Sequence, residues 1–387
     1  MRVLLAHNHY GSAAPSGENR VFALERDMLL RYGHEVETFE VHSDSVRTRG
    51  KTGLFLGAMS TPWNPKAARA IRAKVAAFKP EIFHVHNTFP LLSPSIFSAA
   101  APAARVLTLH NYRLQCAAAI PVREGNVCTL CIDRRNAISS VKYGCYRDSR
   151  AATFPLALSI TLHRARGTWR KDVERFIALS EFQRDLMARG GLPSDRIAVK
   201  PNFYPGRPER IAFSDRPYQV LFVGRLSSEK GIGDLIEAWR LWGTDAPGLR
   251  VVGDGPLRSQ LEEAAGQLPK VHIVGPLASA QAEAEIGNAK LLVVPSRWFE
   301  GFPMVLREAF AYGTASAVSE IGPLPAIVEA ANGATFPPGN PQAMLERLRS
   351  LWETQEQLAS MSLASARAFE MRYAEPQNHD QLMDIYS

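Results

Sequence analysis

The chain has 387 residues, enough for two ordinary domains that each bury a sizeable core. Its composition, 46% hydrophobic and 21% charged residues, is that of a soluble globular protein. No apolar run approaches the roughly 18–20 residues that a membrane-spanning helix needs, and the N-terminal apolar stretch is too short for a signal peptide. We therefore expect a cytoplasmic protein, in which disulfides are rare.

The net charge of +7 is unevenly distributed. Residues 1–200 carry 29 Lys and Arg against 16 Asp and Glu, whereas residues 201–387 carry 16 against 22. This asymmetry favours an anionic partner for the N-terminal half.

Short apolar runs rich in β-branched residues alternate with amphipathic segments along both halves. In the first half we predict strands at 2–7, 34–41, 81–87, 105–111 and 175–180, with helices at 18–32 and 66–78. In the second half we predict strands at 218–224, 249–255, 270–275, 290–296 and 314–319, with helices at 231–243, 256–266, 279–288, 303–312 and 341–368. Two successive arrays of this kind predict an α/β protein with two doubly wound parallel sheets.

The proline-rich stretch 199–219 lacks apolar periodicity and suits an interdomain linker. We place the domains at 1–202 and 203–369, with 370–387 packing back on the first. Ligands of open α/β sheets bind at the carboxyl ends of the strands, so two such domains would share a cleft.

Two segments of the first half mix basic with large apolar residues. Segment 45–74 interleaves seven Lys and Arg with Leu54, Phe55, Leu56 and Trp63, and segment 162–176 places four around Trp169. This pattern predicts peripheral binding to an anionic membrane surface on its inner, cytoplasmic face. The alternative is a set of ordinary solvated helices.

All four cysteines fall within thirty residues: Cys116, Cys128, Cys131 and Cys145. The Cys-x2-Cys pair can place two thiolates on one tetrahedral ion, and four thiolates leave no open position for catalysis, so we predict a structural zinc site. Free thiols and disulfides formed on oxidation are the alternatives.

The segment 220–239 reads as a strand, a polar loop and a helix. The loop holds Arg225 and Lys230, and two cations at this spacing can clamp a diphosphate. The Gly-Asp-Gly-Pro turn at 253–256 is weaker, because such turns also serve only to pack helices on sheets.

Two glutamates lie around the next strand-to-helix junction, Glu300 just before Gly301-Phe302-Pro303 and Glu308 within a mostly apolar helix. Pro303 suits the first helical position, so the amides around 302–305 would lie at the positive end of the helix dipole, ready for phosphate or sugar oxygens. The plainer interpretation is an N-terminal-turn acid and a surface glutamate.

These spacings, Arg-x4-Lys-Gly, then Gly-Asp-Gly-Pro, then Glu-Gly-Phe-x5-Glu-Ala, resemble the family 4 glycosyltransferases, which have the GT-B fold. The resemblance extends over "GHEVETF" (33–39), "KPEIFHVHN" (79–87), "LHNYR" (109–113) and "IALSEF" (177–182). It implies two Rossmann-like domains facing a central cleft, the first on the acceptor side and the second binding the nucleotide sugar. It also implies retaining transfer from a UDP- or GDP-linked sugar to a glycan or lipid-linked acceptor in cell-envelope or exopolysaccharide synthesis, without a catalytic metal.

The same resemblance assigns roles to individual residues. Arg225 and Lys230 would offset the diphosphate, and no Asp-x-Asp occurs in the sequence to bind a metal there. Glu308 would hold the ribose hydroxyls, and Glu300 would act at the donor sugar. His110 matches a histidine facing that sugar, although it could equally be an ordinary strand-end histidine. The remaining donor contacts would come from Gly17, Gly275, Leu277, Gly301, Phe302, Pro303, Met304 and Val305, with Pro303 lacking an amide donor.

Three other functions deserve comparison. A nucleotide-sugar epimerase or a glycan phosphorylase shares this architecture, but the first would lack the glutamate pair in this context and the second needs a longer chain. A catalytically silent nucleotide-sugar binder is disfavoured by Arg225, Lys230, Glu300 and Glu308 being present together. A nucleic-acid binder would need a basic, aromatic-interleaved face that the sequence does not show, so we expect no nucleic-acid partner.

Overall fold

The computed structural model describes residues 1–11, 16–48 and 50–387, with the backbone alone at Arg47. The chain divides into two compact units. The first contains Met1–Pro121, Cys128–Pro201 and His379–Ser387, and the second contains Val122–Val127 and Asn202–Asn378. Of the C-terminal stretch 370–387, residues 379–387 group with the first unit and residues 370–378 with the second.

Fourteen strands lie in the described ranges. They are β1 (Arg2–His9), β2 (Glu35–His42), β3 (Ile82–Asn87), β4 (Ala104–Leu109), β5 (Val122–Arg123), β6 (Asn126–Val127), β7 (Arg175–Ala178), β8 (Ile197–Val199), β9 (Gln219–Val223), β10 (Gly248–Val252), β11 (Val271–Gly275), β12 (Leu291–Val294), β13 (Ala315–Ser319) and β14 (Gly333–Phe336).

Eighteen α-helices lie in the same ranges, with a few short 3₁₀ turns and one π segment at Phe369–Tyr373. They are α1 (Gly17–Arg31), α2 (Asp44–Arg47), α3 (Gly50–Ser60), α4 (Pro65–Phe78), α5 (Ser95–Ala99), α6 (Leu130–Asp133), α7 (Ile138–Lys142), α8 (Arg150–Arg166), α9 (Thr168–Lys171), α10 (Glu181–Arg189), α11 (Ile232–Trp242), α12 (Arg258–Ala265), α13 (Ser279–Asn288), α14 (Met304–Tyr312), α15 (Leu324–Ile327), α16 (Pro341–Glu353), α17 (Gln355–Ala368) and α18 (Glu375–Tyr386).

The first unit is built on a six-stranded parallel sheet in the order β2-β1-β3-β4-β7-β8. Strand β1 lies inside the sheet, second from the β2 edge, and its residues 3–6 are fully buried, as a strand covered by helices on both faces requires. Helix α1 follows it, and the Ser16 hydroxyl accepts a hydrogen bond from the Asn19 amide at 3.5 Å to cap its first turn.

The second unit has its own six-stranded parallel sheet, in the order β11-β10-β9-β12-β13-β14. Its core packs α11 and α16 against β9 and β10, and the buried indole of Trp239 donates to the Pro247 carbonyl at 2.9 Å. The short antiparallel pair β5–β6 forms a separate hairpin.

The predicted pair of doubly wound parallel sheets is confirmed. Some details of the prediction differ from the structure. The helix predicted at 341–368 is two helices that break at Thr354, and the edge strands β8 and β14 were not predicted. Edge strands of three or four residues give too short an apolar run to be recognised.

Candidate active site

The charged residues of the second unit converge where its strand order reverses. The loop after β9 carries Arg225 and Lys230, and the loop after β12 carries Glu300. Strands β9 and β12 are neighbours, but the chain continues from β9 to one side of the sheet and from β12 to the other. Open parallel sheets bind ligands in the crevice beyond the carboxyl ends at such a switch point.

Lys230 and Glu300 form the centre of this site. The Lys230 Nζ lies 2.7 Å from Glu300 Oε1, which also accepts from the Ser296 hydroxyl at 2.7 Å and the Trp298 indole N–H at 3.0 Å. The ammonium also lies 5.0 Å from the centroid of the Trp298 ring, within cation–π range. Glu300 is thus a nearly buried carboxylate held by three donors, while the Lys230 side chain is 25% exposed and open to a ligand.

Two glycines allow these loops to meet. Gly231 has φ +68°, and a Cβ there would lie 1.8 Å from the Pro295 carbonyl oxygen. Gly253, the first glycine of the Gly-Asp-Gly-Pro turn, has φ +142°, and its Cβ would lie 1.9 Å from the Gly224 oxygen. Only glycine permits such approaches, so this turn supports the Arg225–Lys230 loop by packing beneath it.

Helix α14 presents its N-terminus in the same region. It begins at Met304, and Pro303 occupies the cap position with φ −62° and ψ 122°, one residue before its predicted place. An extended ψ at Pro303 keeps it outside the helix, so the amides of Met304 and Val305 are the first without acceptors inside the helix.

Glu308 is 7% exposed within α14, and its Oε1 lies 3.6 Å from Arg307 Nη2. Arg307 is itself fully buried and donates to the Phe203 carbonyl, so it also has a structural role. A carboxylate this buried depends on polar neighbours.

The other residues predicted for donor binding lie at nearby strand ends of the second unit. Arg225 is exposed, Gly275 ends β11 with φ +84°, and Leu277 is half-buried two residues later. Gly301 is half-buried, whereas the Phe302 ring is buried and packs 5.4 Å from Tyr373, so Phe302 can offer only its backbone to a ligand.

The first unit holds the two remaining predicted residues. Gly17 is the first residue of α1, and residues 12–15 of the predicted glycine loop lie outside the described ranges. His110 follows β4, and its Nε2 lies 3.0 Å from His86 Nδ1. Burial, followed by the neighbouring His86 and His7, lowers the pKa of His110 well below its usual value, so its imidazole is neutral near pH 7.

Beneath His110 lies a buried charged network that the sequence did not predict. Lys200 Nζ contacts Glu25 Oε2 at 2.9 Å, and Glu25 Oε1 lies 3.1 Å from His84 Nδ1 and 3.2 Å from His86 Nε2. Burial alone would raise the pKa of Glu25, but Lys200 and the two histidines hold it well below its usual value. Burial lowers the pKa of His84 to about 4.

Glu25, His84 and His86 are also the one group of three ligand-type atoms that approach within 4.8 Å of one another in the described part of the chain. Lys200 already neutralises the carboxylate, and His84 is shared between Tyr386 at 2.7 Å and Thr108 at 2.8 Å. The arrangement therefore fits an internal ion-pair network that ties α1, β3 and the residue after β8 together.

None of the four cysteines forms a disulfide, and all four are half-buried. Burial raises the pKa of the Cys131 thiol, and Cys145 and Cys128 raise it further, so these sulfurs lie close enough to interact. No three of the cysteine sulfurs approach within 4.8 Å among the described residues, so this geometry does not support the predicted zinc site.

The large apolar residues that were predicted to face a membrane differ in how exposed they are. Leu54, Phe55 and Leu56 are exposed on α3. Trp169 is only 7% exposed, and Trp63 stacks on the buried His163 at 5.5 Å. Trp169 is therefore a packing residue, which corrects its predicted role, whereas Trp63 is half-buried. Among the described helices, none is long and apolar enough to cross a bilayer.

The second unit also contains polar site residues that sequence reasoning missed. Ser296 and Trp298 donate to Glu300, and Arg297 pairs with Asp234 of α11. Their position between a buried strand and the Glu-Gly-Phe turn was the available signal, because every residue of that loop lies at the carboxyl edge of the sheet.

Comparison with known proteins places this geometry in a class. Two family models match successive parts of the chain, "Glycosyl transferase 4-like domain" over residues 18–202 and "Glycosyl transferases group 1" over residues 207–367. The crystal structure of HepE from Anabaena in complex with UDP aligns over 99% of both chains with a TM-score of 0.65 and 17% identity. The protein thus has the GT-B fold of two-domain glycosyltransferases. Within that class, the chain belongs to the family 4 glycosyltransferases.

Two curated relatives share part of the sequence. An exopolysaccharide phosphotransferase from Streptomyces coelicolor is 29% identical over 188 residues, which cover 46% of this chain and 20% of that protein. The D-rhamnosyltransferase WbpZ from Pseudomonas aeruginosa is 34% identical over 162 residues, 41% of either chain. The chain therefore spans less than half of the length of these two relatives.

Proposed function

We propose that this protein is a retaining glycosyltransferase. It transfers a sugar from a UDP- or GDP-linked donor to a glycan or lipid-linked acceptor, in the synthesis of a cell-envelope or exported polysaccharide. The observation that carries the proposal is the Lys230–Glu300 pair at the switch point of the second sheet, beside the N-terminus of α14. The UDP in the HepE complex and the rhamnosyltransferase activity named for WbpZ belong to those proteins and support the substrate class here.

The proposed chemistry follows from the charges at this edge. A donor diphosphate brings two negative charges, which Arg225, Lys230 and the amides of Met304 and Val305 offset without a metal ion. As the bond to the sugar breaks, charge grows on the leaving phosphate, and these fixed donors stabilise it more than they stabilise the ground state. The leaving phosphate then takes the proton of the attacking acceptor hydroxyl, as the family resemblance implies.

The two glutamates bind hydroxyl groups at either end of the donor. Glu308 accepts from the ribose hydroxyls, and Glu300 accepts from the sugar while positioning Lys230. The resemblance assigns His110 of the first unit to the donor sugar, where a neutral imidazole can exchange hydrogen bonds with a hydroxyl without adding charge.

The test begins with the donor. We would screen UDP- and GDP-sugars by thermal shift and hydrolysis, then compare Lys230→Ala and Glu308→Gln with the parent protein. Each substitution should weaken donor binding and turnover more than tenfold, because a lost charge-assisted hydrogen bond costs about 1.5–3 kcal/mol.

Lys270→Ala is the matched control, because Lys270 is exposed and precedes β11 at the opposite, amino edge of the same sheet. Folded Lys230 and Glu308 variants that keep full activity with every donor would refute the site. The anomeric configuration of the product, read by proton NMR, tests retention separately: inversion would remove that part of the proposal, and epimerised donor without transfer would favour the epimerase.

The predicted zinc site remains a prediction with a direct measurement. Elemental analysis of protein purified under reducing conditions without chelator would find about one zinc per chain if the thiols close around an ion. Four titratable thiols in metal-free protein would instead establish the free-thiol alternative.

A further inference from the structure

The first unit contains a cavity of about 610 Å³ that the proposed donor chemistry does not use. Residues that follow four neighbouring parallel strands line it: Tyr10 after β1, Ser43 after β2, Phe89 after β3 and Arg113 after β4. It therefore opens at the carboxyl edge of its own sheet, where α/β folds bind ligands, and its volume is that of a small-molecule site.

One wall of the cavity is apolar. It is formed by α3 and α8, which contact each other and contribute Leu54 and Leu156 to the lining. The same helices carry large apolar side chains that are exposed to solvent by 43–64%: Leu54, Phe55, Leu56, Met59, Phe154 and Leu158. Exposed apolar residues grouped in this way mark an interaction surface, and Leu54 belongs to both the surface and the cavity.

The remaining wall is cationic. Arg113 stacks on the Phe89 ring at 4.2 Å and donates from Nη1 to the Ala117 carbonyl at 3.0 Å, but its buried Nε has no hydrogen-bond partner in the described part of the chain. Arg147 lies against the Tyr146 ring at 5.2 Å and is exposed at the same cavity.

The buried acid beside Arg113 does not cancel the charge of that residue. Glu18 acts electrostatically on Arg113, but burial raises the pKa of Glu18, and Asn111 already donates to its carboxyl at 2.6 Å. Helices α3 and α8 contain no Asp or Glu, and they carry Lys51 and Arg150 near their first turns. An occupant must therefore match an apolar wall, two guanidinium groups and a basic rim.

We propose that this cavity binds the acceptor as a lipid phosphate: the phosphorylated head lies at Arg113 and Arg147, and the apolar chain runs along α3 and α8 into a bilayer. This inference rests on the proposed function and narrows its acceptor from glycans in general to lipid-linked ones. A soluble glycan would have no use for the apolar wall, and a neutral lipid would have none for the paired arginines.

The test uses farnesyl diphosphate as a soluble probe, with farnesol and inorganic diphosphate as its apolar and anionic halves. Isothermal titration should give binding to the intact probe at least tenfold tighter than to either half. Equal affinity for farnesol would remove the arginines from the site, and equal affinity for inorganic diphosphate would remove the apolar wall; either result overturns the inference.

Paired variants separate this site from the donor site. Arg147→Gln should weaken farnesyl diphosphate about fivefold or more and leave UDP-sugar binding unchanged, while Lys230→Ala should do the reverse. Phe55→Ser with Leu56→Ser should reduce sedimentation with vesicles that contain a long-chain polyprenyl phosphate, and Leu363→Ser, 64% exposed on α17, is the matched control.

The outcomes distinguish the two proposals. Donor binding without farnesyl diphosphate binding refutes the lipid acceptor and leaves the glycosyltransferase proposal in place. Loss of farnesyl diphosphate binding on Lys230→Ala but not on Arg147→Gln would show that the probe occupies the donor site, which also overturns the inference. Sedimentation with anionic vesicles that is independent of the polyprenyl phosphate would assign the surface to bulk phospholipid instead.

Discussion

The two units hold a lysine–glutamate pair in different ways. In the first, Lys200 and Glu25 are 5% and 1% exposed by side chain and lie inside the core. In the second, Lys230 is 25% exposed above a Glu300 that is 6% exposed. A pair enclosed in the core has no access to a ligand, whereas a pair with one partly exposed member can exchange its partner for a ligand. Burial, more than residue type, therefore distinguishes a charged pair enclosed in the core from one that we propose binds a ligand.

The largest effect that tests this contrast comes from breaking the sealed pair. Lys200→Met leaves Glu25 as an uncompensated buried carboxylate, and such losses cost about 3–5 kcal/mol of unfolding free energy. Urea denaturation read by hydrogen-exchange mass spectrometry should place the loss in the first unit. Lys66→Met, which removes an exposed lysine of α4, is the control. Similar stability for the two variants would show that the buried pair contributes little.

Lowering the pH should destabilise the first unit more than the second, by less than the Lys200→Met substitution does. Nine of the ten histidines belong to the first unit, and the tenth, His272, is exposed in the second. Burial lowers the pKa of His7 to about 3 and those of His84 and His163 to about 4.

The direction of this pH effect follows from the difference in proton binding between the folded and unfolded states. These imidazoles stay neutral in the folded state, while the unfolded chain binds protons below pH 6.5, so stability is lost as the pH falls from about 6.5 toward 4. From pH 7 to pH 6 each of these three buried histidines should remove about 0.7 kcal/mol from the stability of the first unit, about 2 kcal/mol in total. Glu25 acts only at lower pH, because its stabilisation is lost below the unfolded value near 4.5. Hydrogen exchange that increases equally in both units at pH 6 would contradict this expectation.

A third test concerns the Lys230–Glu300 pair and the loop that carries Lys230. Gly231→Ala forces a Cβ to within 1.8 Å of the Pro295 oxygen at a positive φ, so the Lys230 loop must move. We expect donor affinity to fall at least tenfold in calorimetric titration. Gly233→Ala, two residues along in α11 with open space around its Cβ, should keep full affinity. Equal affinities for the two variants would mean that loop placement does not set donor binding.

The last test predicts that removing metal ions has no effect on the reaction. If Arg225, Lys230 and the α14 amides provide all the positive charge that the diphosphate needs, EDTA should leave the initial rate of transfer unchanged. A rapid loss restored by magnesium or manganese would show that a cation, rather than Lys230, is the main partner of the diphosphate.

The sequence predicted that Lys230 and Glu300 would come together but did not predict the Glu25–Lys200 pair, and the reason is physical. Lys230 and Glu300 lie in loops that each follow an obvious buried strand, and parallel strands bring their carboxyl ends to one edge whatever their separation in sequence. Glu25 and Lys200 lack such a rule. Glu25 lies in α1 and Lys200 follows β8, 175 positions away. No local sequence pattern connects the two residues.

Side-chain direction is the other property that the sequence pattern does not fix. Basic and aromatic residues are interleaved around Trp169 as they are around Phe55, yet Trp169 packs inward and Phe55 is 64% exposed. The break between helices α16 and α17 at Thr354 similarly has no glycine or proline from which it could have been predicted. Packing against other elements decides these cases, and packing is set by residues far away in the chain.

The position of Tyr386 bears on the order in which the protein matures during synthesis. Its hydroxyl lies 2.7 Å from His84 Nδ1 in the core of the first unit, and residues 202–378 of the second unit lie between these two positions in the chain. A ribosome therefore releases every strand of the second sheet before the first unit receives Tyr386. The first unit begins to be synthesised before the second, but it lacks its Tyr386–His84 contact until α18 has been synthesised. Its buried histidine cluster is therefore completed only after the second unit has been made.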